Sequence, residues 1–324
     1  MSVLIITHRE DNECVELVAS ALAARGHEAV RLDTDLYPTE LSLSSELLEG
    51  RWRRHFSIGE QTHDLSAVTA VWYRRFAAGA GLPRSLGDHR PACVEESRRA
   101  LLGLIASLGV FELDPLTAVR RADHKELQLT LAPGLGLSVP RTLISNDPIQ
   151  VARFARELDG PIVAKMQTSF AIHRHERELV VFTSRVSEDD LRSLDGLKYG
   201  PMMFQELVPK RLEIRATVVG NRVYSAAVDS TASPRAEIDW RRDGPGLMNR
   251  WITYELPKSV EAGLVALTRE LGLGYSAADF ILTPDGGHVF LELNASGEWF
   301  WLQRYPGLPI GEAIAEQLIS KGSR

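Results

Sequence analysis

Two neighbouring segments near the carboxyl end decide the fold: Ala278-Asp279-Phe280-Ile281-Leu282 and Phe290-Leu291-Glu292-Leu293-Asn294. Between them lies Pro284-Asp285-Gly286-Gly287, which predicts the turn of a β-hairpin. A turn centred on Asp285-Gly286 sets Asp279 directly opposite Glu292. Asn294 projects on the same side, because strand side chains alternate between faces. Two carboxylates and one carboxamide on one face are hard oxygen ligands that suit Mg²⁺.

The opposite face of this hairpin is apolar, which predicts that it packs against a core. Its members are Ala278, Phe280, Leu282, Val289, Leu291 and Leu293. Like charges placed opposite each other destabilise a sheet unless something neutralises them. A divalent cation between Asp279 and Glu292 would do so.

Composition and charge indicate an ordinary globular chain. Of its 324 residues 44% are hydrophobic and 25% are charged, enough for two or three subdomains with a core. The formal charge of −6 argues against nucleic-acid binding. Cys14 and Cys93 lack metal-ligand spacing and favour a reducing compartment. With no targeting signal and no apolar run of ~20 residues, we expect a cytoplasmic protein with no membrane partner.

The first third of the chain predicts a parallel α/β domain. A strand at 3–7, a helix at 11–25 and a strand at 28–32 form a βαβ unit. Neither Gly-x-Gly-x-x-Gly nor a P-loop follows the first strand, which argues against a dinucleotide or P-loop site. We expect 37–76 to be less regular, with short strands.

Later segments alternate between helices and strands. Asp123 is predicted to cap a helix that Pro133-Gly134 ends. Further helices are expected at 92–108, from 148 to about 160, at 257–271 and at 309–320. Further strands are expected at 111–115, 140–144, 161–166, 178–182, 202–208, 212–219 and 222–228.

Several polar residues in these elements have both a structural and a functional interpretation. Lys165 ends an apolar strand, where it either reaches solvent or meets an anion. Lys125 lies in a first helical turn, where a cation is unfavourable unless it is solvated or faces a phosphate. The segment Gln205-Glu206-Leu207-Val208 is an edge strand or an adenine-binding hinge. Arg215 either pairs with Glu213 on the same strand face or steadies a phosphoryl group.

The order of these features resembles that of the ATP-grasp ligases. In sequence they are Lys125, Lys165, Gln205-Glu206-Leu207-Val208, Glu213-Ile214-Arg215, Asp279 and Glu292-Leu293-Asn294. The resemblance implies an α/β and α+β protein with an ATP-grasp fold and an N-terminal Rossmann-like pre-ATP-grasp domain. It divides the chain into an N-terminal domain (1–114), a central lid subdomain with both lysines (115–204) and a C-terminal subdomain with the Mg²⁺-binding hairpin (205–324).

The resemblance also implies a set of contacts with ATP. Lys125 and Lys165 would hold phosphates, the Gln205–Val208 segment would hold adenine, and Glu213 would contact ribose. Asp279, Glu292 and Asn294 would coordinate two Mg²⁺ ions. A substrate carboxylate would then attack the γ-phosphate, and a nucleophile would displace phosphate from the acyl phosphate.

A second resemblance narrows the family to the graspetide synthetases, the microviridin-type macrocyclases. It is carried by Leu32-Asp33-Thr34-Asp35, Asp64–Val68, Val71-Trp72-Tyr73-Arg74-Arg75-Phe76 and Leu291–Trp299. It implies that Asp or Glu side chains of a ribosomal precursor peptide are joined to Thr or Ser hydroxyls as esters, or to Lys amines as amides. A leader segment of the precursor would be recognised separately from the core, and the enzyme would be a homodimer.

Basic residues are candidates for contacts with the acidic precursor. Arg74, Arg75, His173 and Arg177 are predicted to bind substrate, and Arg174 and Arg215 to face the substrate carboxylate or the γ-phosphate. The general base remains open between His173, His175 and the acyl phosphate itself. The Trp299-Phe300-Trp301 run is predicted to be core.

Two other functions compete with the macrocyclase. One is a carboxylate–amine ligase that adds an amino acid to a peptide or protein tail. The other is a non-catalytic module that binds nucleotide and peptide. The presence of all three metal-ligand residues favours turnover.

Overall fold

The computed structural model describes residues 2–158, 160–168, 171–174 and 177–323, with the backbone alone for 171–174 and 177–180. Its helices are α1 Cys14–Ala23, α2 Arg90–Ala106, α3 Leu116–Ala122, α4 Lys125–Leu131, α5 Pro148–Glu157, α6 Glu188–Arg192, α7 Gly244–Leu247, α8 Lys258–Glu270, α9 Phe300–Arg304 and α10 Ile310–Gly322. Its strands are β1 Ser2–Thr7, β2 Glu28–Asp33, β3 Leu41–Leu48, β4 Arg51–Ile58, β5 Gln61–Asp64, β6 Val68–Tyr73, β7 Phe111–Leu113, β8 Thr142–Ser145, β9 Ile162–Lys165, β10 Ala171–Arg174, β11 Arg177–Val180, β12 Ser184–Arg185, β13 Met202–Glu206, β14 Leu212–Val219, β15 Arg222–Val228, β16 Ile252–Thr253, β17 Tyr275–Leu282 and β18 His288–Asn294.

The N-terminal domain contains the predicted parallel sheet, in the strand order β2-β1-β6-β7. Alternate side chains of β1 enter different cores. Val3 and Ile5 pack with α1 and α10, and Leu4 and Ile6 pack on the other face. Gly26, at φ +75°, turns the chain from α1 into β2. The Rossmann-like expectation is therefore confirmed.

Residues 37–76 are more regular than we expected. Strands β3, β4 and β5 form an antiparallel sheet in which β3 and β4 pair over eight residues each. Their sequences are rich in Ser and Arg, and little of either strand is buried apart from Leu41 and Phe56. Most side chains of these strands are not buried, so the sequence shows little of the apolar alternation by which a strand is predicted.

The central subdomain is a sheet of order β12-β9-β13-β8, and its apolar side packs on α5. The predicted boundary between 204 and 205 falls within β13, Met202–Glu206. Just after the predicted boundary at 115, α3 contributes Val119 and Ala122 to a large apolar cluster. That cluster joins Leu4 and Leu101 of the N-terminal domain to Leu264 and Phe290 of the C-terminal subdomain.

The C-terminal sheet has the antiparallel order β16-β15-β14-β17-β18. The β17–β18 turn spans Thr283 to Gly287, closed by Thr283 N donating to Gly287 O at 2.9 Å. The centre of this turn lies half a residue earlier in the chain than predicted. A bulge at Leu291 shifts the pairing by one residue and so places Asp279 opposite Glu292, as predicted. The bulge also moves Phe290 into the core in place of Leu291, which corrects our assignment of the apolar face.

Within the described residues, no helix is both long and apolar enough to cross a lipid bilayer.

Candidate active site

The polar face of the β17–β18 hairpin carries the three predicted metal ligands. Asp279 pairs in register with Glu292, and Asn294 is two residues further along the same face. Arg215, opposite Asp279 on β14, donates from Nη1 to both of its carboxylate oxygens at 2.8 and 2.9 Å. Lys125 Nζ donates to Glu292 Oε2. Each carboxylate of the predicted metal site thus has its own cation.

Glu292 is kept ionised by its surroundings. Burial opposes its charge, yet the positive charges of Lys125, Lys165 and Arg241 outweigh burial and lower its pKa. Asn294 Nδ2 lies 3.5 Å from Glu292 Oε1, so a metal would require the amide to present its oxygen instead. The donor set fits Mg²⁺ with that single rotation. No group of three His, Cys, Asp or Glu side chains suited to a metal occurs in the described part of the chain, because the third donor here is an amide.

A buried glutamine fixes the position of the metal-ligand strand. β18 is an edge strand, so its outer backbone groups need partners. Gln128, which is 1% exposed, donates from Nε2 to Leu293 O at 2.8 Å and accepts from Leu293 N at Oε1, also at 2.8 Å. Leu293 lies between Glu292 and Asn294, so one helix turn sets Lys125 and both ligands in a fixed relation.

We therefore expect Gln128→Leu to destabilise the protein by about 2–4 kcal/mol, because a buried N–H and C=O lose their partners. Urea unfolding would measure this loss. Gln150→Leu, at a partly exposed position in the first turn of α5, is the control and should shift stability by less than about 0.5 kcal/mol. Equal effects of the two changes would show that the Leu293 contacts contribute little.

A narrow cleft between the central and C-terminal sheets collects most of the predicted nucleotide contacts. Its lining includes Lys165, Gln205, Glu206, Leu207, Val208, Glu213, Asp279 and Glu292. Gln205 is 1% exposed, and its Nε2 donates to Thr142 Oγ1 at 3.0 Å. Glu206 Oε1 accepts from Arg141 N at 3.1 Å. Burial lowers the pKa of Lys165, and the charge of Glu292 opposes that shift.

The ribose candidate Glu213 already has two partners. Its Oε1 accepts from Lys210 Nζ and from Ser230 Oγ, each at 2.6 Å. The predicted alternative, a pair between Glu213 and Arg215, is wrong, because Arg215 pairs across strands with Asp279. Burial raises the pKa of Glu213, against the lowering effect of Lys210.

A larger cavity of about 620 Å³ adjoins this cleft. Lys125, Asn294, Arg215 and Arg75 line it, together with Phe300 and Trp301. The prediction that Trp299-Phe300-Trp301 is core is confirmed for Trp299 and Trp301, which are 0% and 4% exposed, while Phe300 is partly exposed. The predicted cap Asp123 also lines this cavity. It is not the helix cap: α4 begins after His124, whose side chain makes no capping bond.

The sequence analysis missed the segment that joins the two cavities, because it predicted no element between the strand at 222–228 and the helix at 257–271. Trp240 and Arg241 line both cavities. Asp239, which is 4% exposed, accepts from Arg241 Nε and Nη2 at 2.8 and 2.7 Å. The Asp-Trp-Arg-Arg run within this loop was the signal available in the sequence.

The two predicted N-terminal arginines differ in position. Arg75 lines the larger cavity, and its Nη2 lies 2.9 Å from Glu298 Oε1. Arg74 is 2% exposed and contacts Asp11, Asn12 and the backbone of Ser296 and Gly297. Its burial is inconsistent with the predicted substrate contact. Arg74 instead connects the N-terminal domain to the loop after β18.

The predicted lid residues His173, Arg174 and Arg177 have backbone positions in the β10–β11 hairpin, where Arg174 pairs with Arg177. Their side chains, and His175 as a whole, lie outside the described residues.

Known proteins resemble this chain both in its N-terminal domain and over nearly its whole length. Residues 2–120 match the family model of the MvdD pre-ATP grasp domain. The crystal structure of macrocyclase MdnC bound with precursor peptide MdnA, from Microcystis aeruginosa MRC, is 42% identical, covers 99% of this chain and 100% of its own, and has a TM-score of 0.88. An ATP-grasp ligase of Chryseobacterium gregarium, associated with ribosomal peptides and in complex with ADP and a leader and core peptide, is 37% identical over 99% of this chain and 97% of its own, with a TM-score of 0.91.

A more distant relative is a probable alpha-L-glutamate ligase of Vibrio vulnificus, 24% identical over 91% of this chain and 88% of its own length. Fold and site together define an ATP-grasp carboxylate ligase, which forms ADP. Within that class the chain belongs to the family of ribosomal-peptide ATP-grasp ligases that includes the microviridin-type macrocyclases.

Proposed function

We propose that this enzyme is an ATP-dependent macrocyclase that phosphorylates Asp or Glu side chains of a ribosomal precursor peptide. It then joins the acyl group to a Thr or Ser hydroxyl or to a Lys amine, and releases ADP and phosphate. The observation that carries the proposal is the pair of adjoining cavities. One is lined by most of the residues predicted to contact the nucleotide, and the other is wide, basic and partly aromatic.

The chemistry assigns a role to each side of the site. ATP would lie in the narrow cleft, with adenine against the Gln205–Val208 segment, ribose near Glu213 and phosphates near Lys125 and Lys165. Asp279, Glu292 and Asn294 would hold two Mg²⁺ ions, which neutralise the phosphates so that a carboxylate can approach. Arg215 and Arg174 would face the carboxylate or the γ-phosphate, and Arg75, His173 and Arg177 would contact the precursor.

A separate apolar groove on the central subdomain is suited to a leader segment of the precursor. It has a volume of about 420 Å³ and its apolar lining includes Met166, Val186, Leu194, Leu197, Met202 and Phe204. Glu188, Asp189 and Asp190 begin α6 beside it and are exposed. This combination favours an occupant with apolar side chains and a basic residue.

We expect Leu194→Asp to weaken precursor binding by about 10-fold or more, because a charge would enter an apolar contact. Fluorescence anisotropy with a labelled leader peptide would measure it. ATP affinity should be unchanged, since the groove lies outside the nucleotide cleft. Leader binding that is unchanged in the variant would exclude this groove.

We also propose a homodimer. Leu47 and Trp52 at one end of the β3–β4 hairpin are 56% and 50% exposed, which supports an interface there. Analytical ultracentrifugation of the intact chain would measure its mass in solution.

The proposed function is tested by coexpressing the enzyme with a precursor peptide encoded by a neighbouring gene. Mass spectrometry then measures the mass of the peptide product. Macrocyclisation removes one water for each ring. Addition of amino acids would instead support the alternative, a carboxylate–amine ligase, which the similarity to probable glutamate ligases favours. An unmodified peptide that still binds would support a non-catalytic module.

A further inference from the structure

The loop after β18, Ser296-Gly297-Glu298, accepts hydrogen bonds from buried side chains of the N-terminal domain and of the C-terminal sheet. Arg74 Nη1 donates to Ser296 O at 3.1 Å and to Gly297 O at 3.4 Å. Tyr275 Oη donates to Gly297 O at 2.6 Å, and Arg215 Nη2 donates to Glu298 O at 3.1 Å. Burying a donor costs free energy unless it is paired. The three donors Arg74, Tyr275 and Arg215 find part of that pairing in the backbone carbonyls of this loop, and they hold it in position.

Packing fixes the same loop a second time. A Cβ on Gly297 would lie 2.6 Å from Ala277 Cβ and 2.7 Å from Arg215 Nη2, so the backbone touches β17 directly. The loop backbone therefore has little freedom to shift, and the Cα from which each of its side chains extends is held in one place. Such rigidity is what a reacting group requires.

The charged side chain that this loop presents is Glu298. It lines the larger cavity together with Lys125, Asn294 and Arg215, and its side chain is 42% exposed. Apart from Glu298, the described residues that line this cavity include one other carboxylate, Asp123, two residues before Lys125. Glu298 is thus a solvent-accessible carboxylate on a fixed support, facing the cavity in which the acyl phosphate would form.

Resting on the proposed function, we propose that Glu298 is the general base for ring closure. The nucleophile's O–H or N–H bond breaks and its proton passes to the Glu298 carboxylate. The oxygen or nitrogen forms a bond to the acyl carbon, and the bond from that carbon to the phosphate oxygen breaks, so phosphate leaves with the electron pair. Glu298 then returns the proton to solvent.

The neighbouring charges are compatible with this role. Arg75 Nη2 lies 2.9 Å from Glu298, and Arg75 Nε lies 3.8 Å from Asp11 Oδ1. When Glu298 accepts a proton and loses its charge, Asp11 therefore still provides a carboxylate near the Arg75 guanidinium. Arg74 and Arg215 contact the loop through its backbone carbonyls.

The test separates the two half-reactions with Glu298→Gln. Hydroxylamine captures the acyl phosphate as a hydroxamate and needs no base from the enzyme. We expect hydroxamate formation within about 3-fold of the wild-type rate, and ring closure slower by on the order of 10²–10⁴-fold. Glu298→Asp, which keeps a carboxylate, should close rings faster than Glu298→Gln.

Glu13→Gln is the matched control, because it breaks another glutamate–arginine pair between the two ends of the chain, Glu13 with Arg304 at 3.1 Å. It should close rings at the wild-type rate. The proposal is overturned if Glu298→Gln closes rings at the wild-type rate or loses both half-reactions equally. It is also overturned if Glu298→Asp and Glu298→Gln close rings equally slowly. If the wild-type enzyme forms neither hydroxamate nor ring, the proposed function fails, whatever the role of Glu298.

Discussion

Glu292→Gln should abolish ring formation, lowering ATP-dependent product by on the order of 10³-fold. Three cations, Lys125, Lys165 and Arg241, act on this carboxylate, and it is a predicted metal ligand. The neutral amide keeps the shape of the side chain and removes its charge. Release of ADP at saturating ATP, Mg²⁺ and precursor would measure the loss.

The same variant should separate nucleotide binding from metal binding. With the carboxylate gone, Lys125 loses its ion-pair partner, and Glu292 no longer offsets the positive charge of the three cations toward the ATP phosphates. We expect Glu292→Gln to bind ATP in the presence of EDTA at least as tightly as the wild type, and to lose the gain in affinity on adding Mg²⁺. Calorimetry would measure both values.

The control is Glu261→Gln, which removes a carboxylate from a surface pair with Lys258 at 2.7 Å. It should leave product formation and the Mg²⁺ effect unchanged. Full turnover by Glu292→Gln would exclude the metal role and favour a binding module.

Arg215→Ala should lower both stability and turnover. Arg215 is 6% exposed and holds Asp279 and the Glu298 carbonyl at once. Removing it leaves the partly buried charge of Asp279 without its paired cation, at a cost of up to about 3–5 kcal/mol. Loss of an aligned cation beside the phosphoryl group should lower kcat by on the order of 10²–10³-fold. Urea unfolding and steady-state kinetics would measure the two effects.

Arg215→Lys should recover only part of the stability, because an ammonium cannot span Asp279 and the loop carbonyl in the way a planar guanidinium does. Arg222 lies on the neighbouring strand β15, and Arg222→Ala is the matched control, since it breaks an exposed pair with Glu316 of α10. It should cost less than about 1 kcal/mol and leave kcat unchanged. If Arg215→Ala is no more harmful than Arg222→Ala, the predicted role of Arg215 is wrong.

Local sequence rules predicted the elements whose pattern is short-range. The βαβ opening, the strands at 212–219 and 222–228 and the helix that begins at 148 all lie where their sequences indicated, because turn chemistry and apolar periodicity act over a few residues. The pairing of Asp279 with Glu292 also followed from sequence, although it depends on a bulge that the sequence did not reveal.

Contacts between distant segments could not be predicted in this way. The segment Asp239-Trp240-Arg241 has no periodicity, and only its position between two sheets places it beside both cavities. Arg74 and Arg75 are adjacent in sequence and share a charge. The first became a buried connection and the second a cavity residue, because successive side chains leave the end of β6 in different directions.

The sequence by itself determined the fold family, the order of the ATP-grasp elements and the oxygen donors on one face of the last hairpin. These follow from residue type and spacing along the chain. Tertiary structure alone decided which cation faces which carboxylate, how Gln128 holds the metal-ligand strand, and how Arg74, Tyr275 and Arg215 fix Glu298. Each of those contacts joins residues far apart in the chain, and its free energy depends on burial that exists only once the sheets have packed.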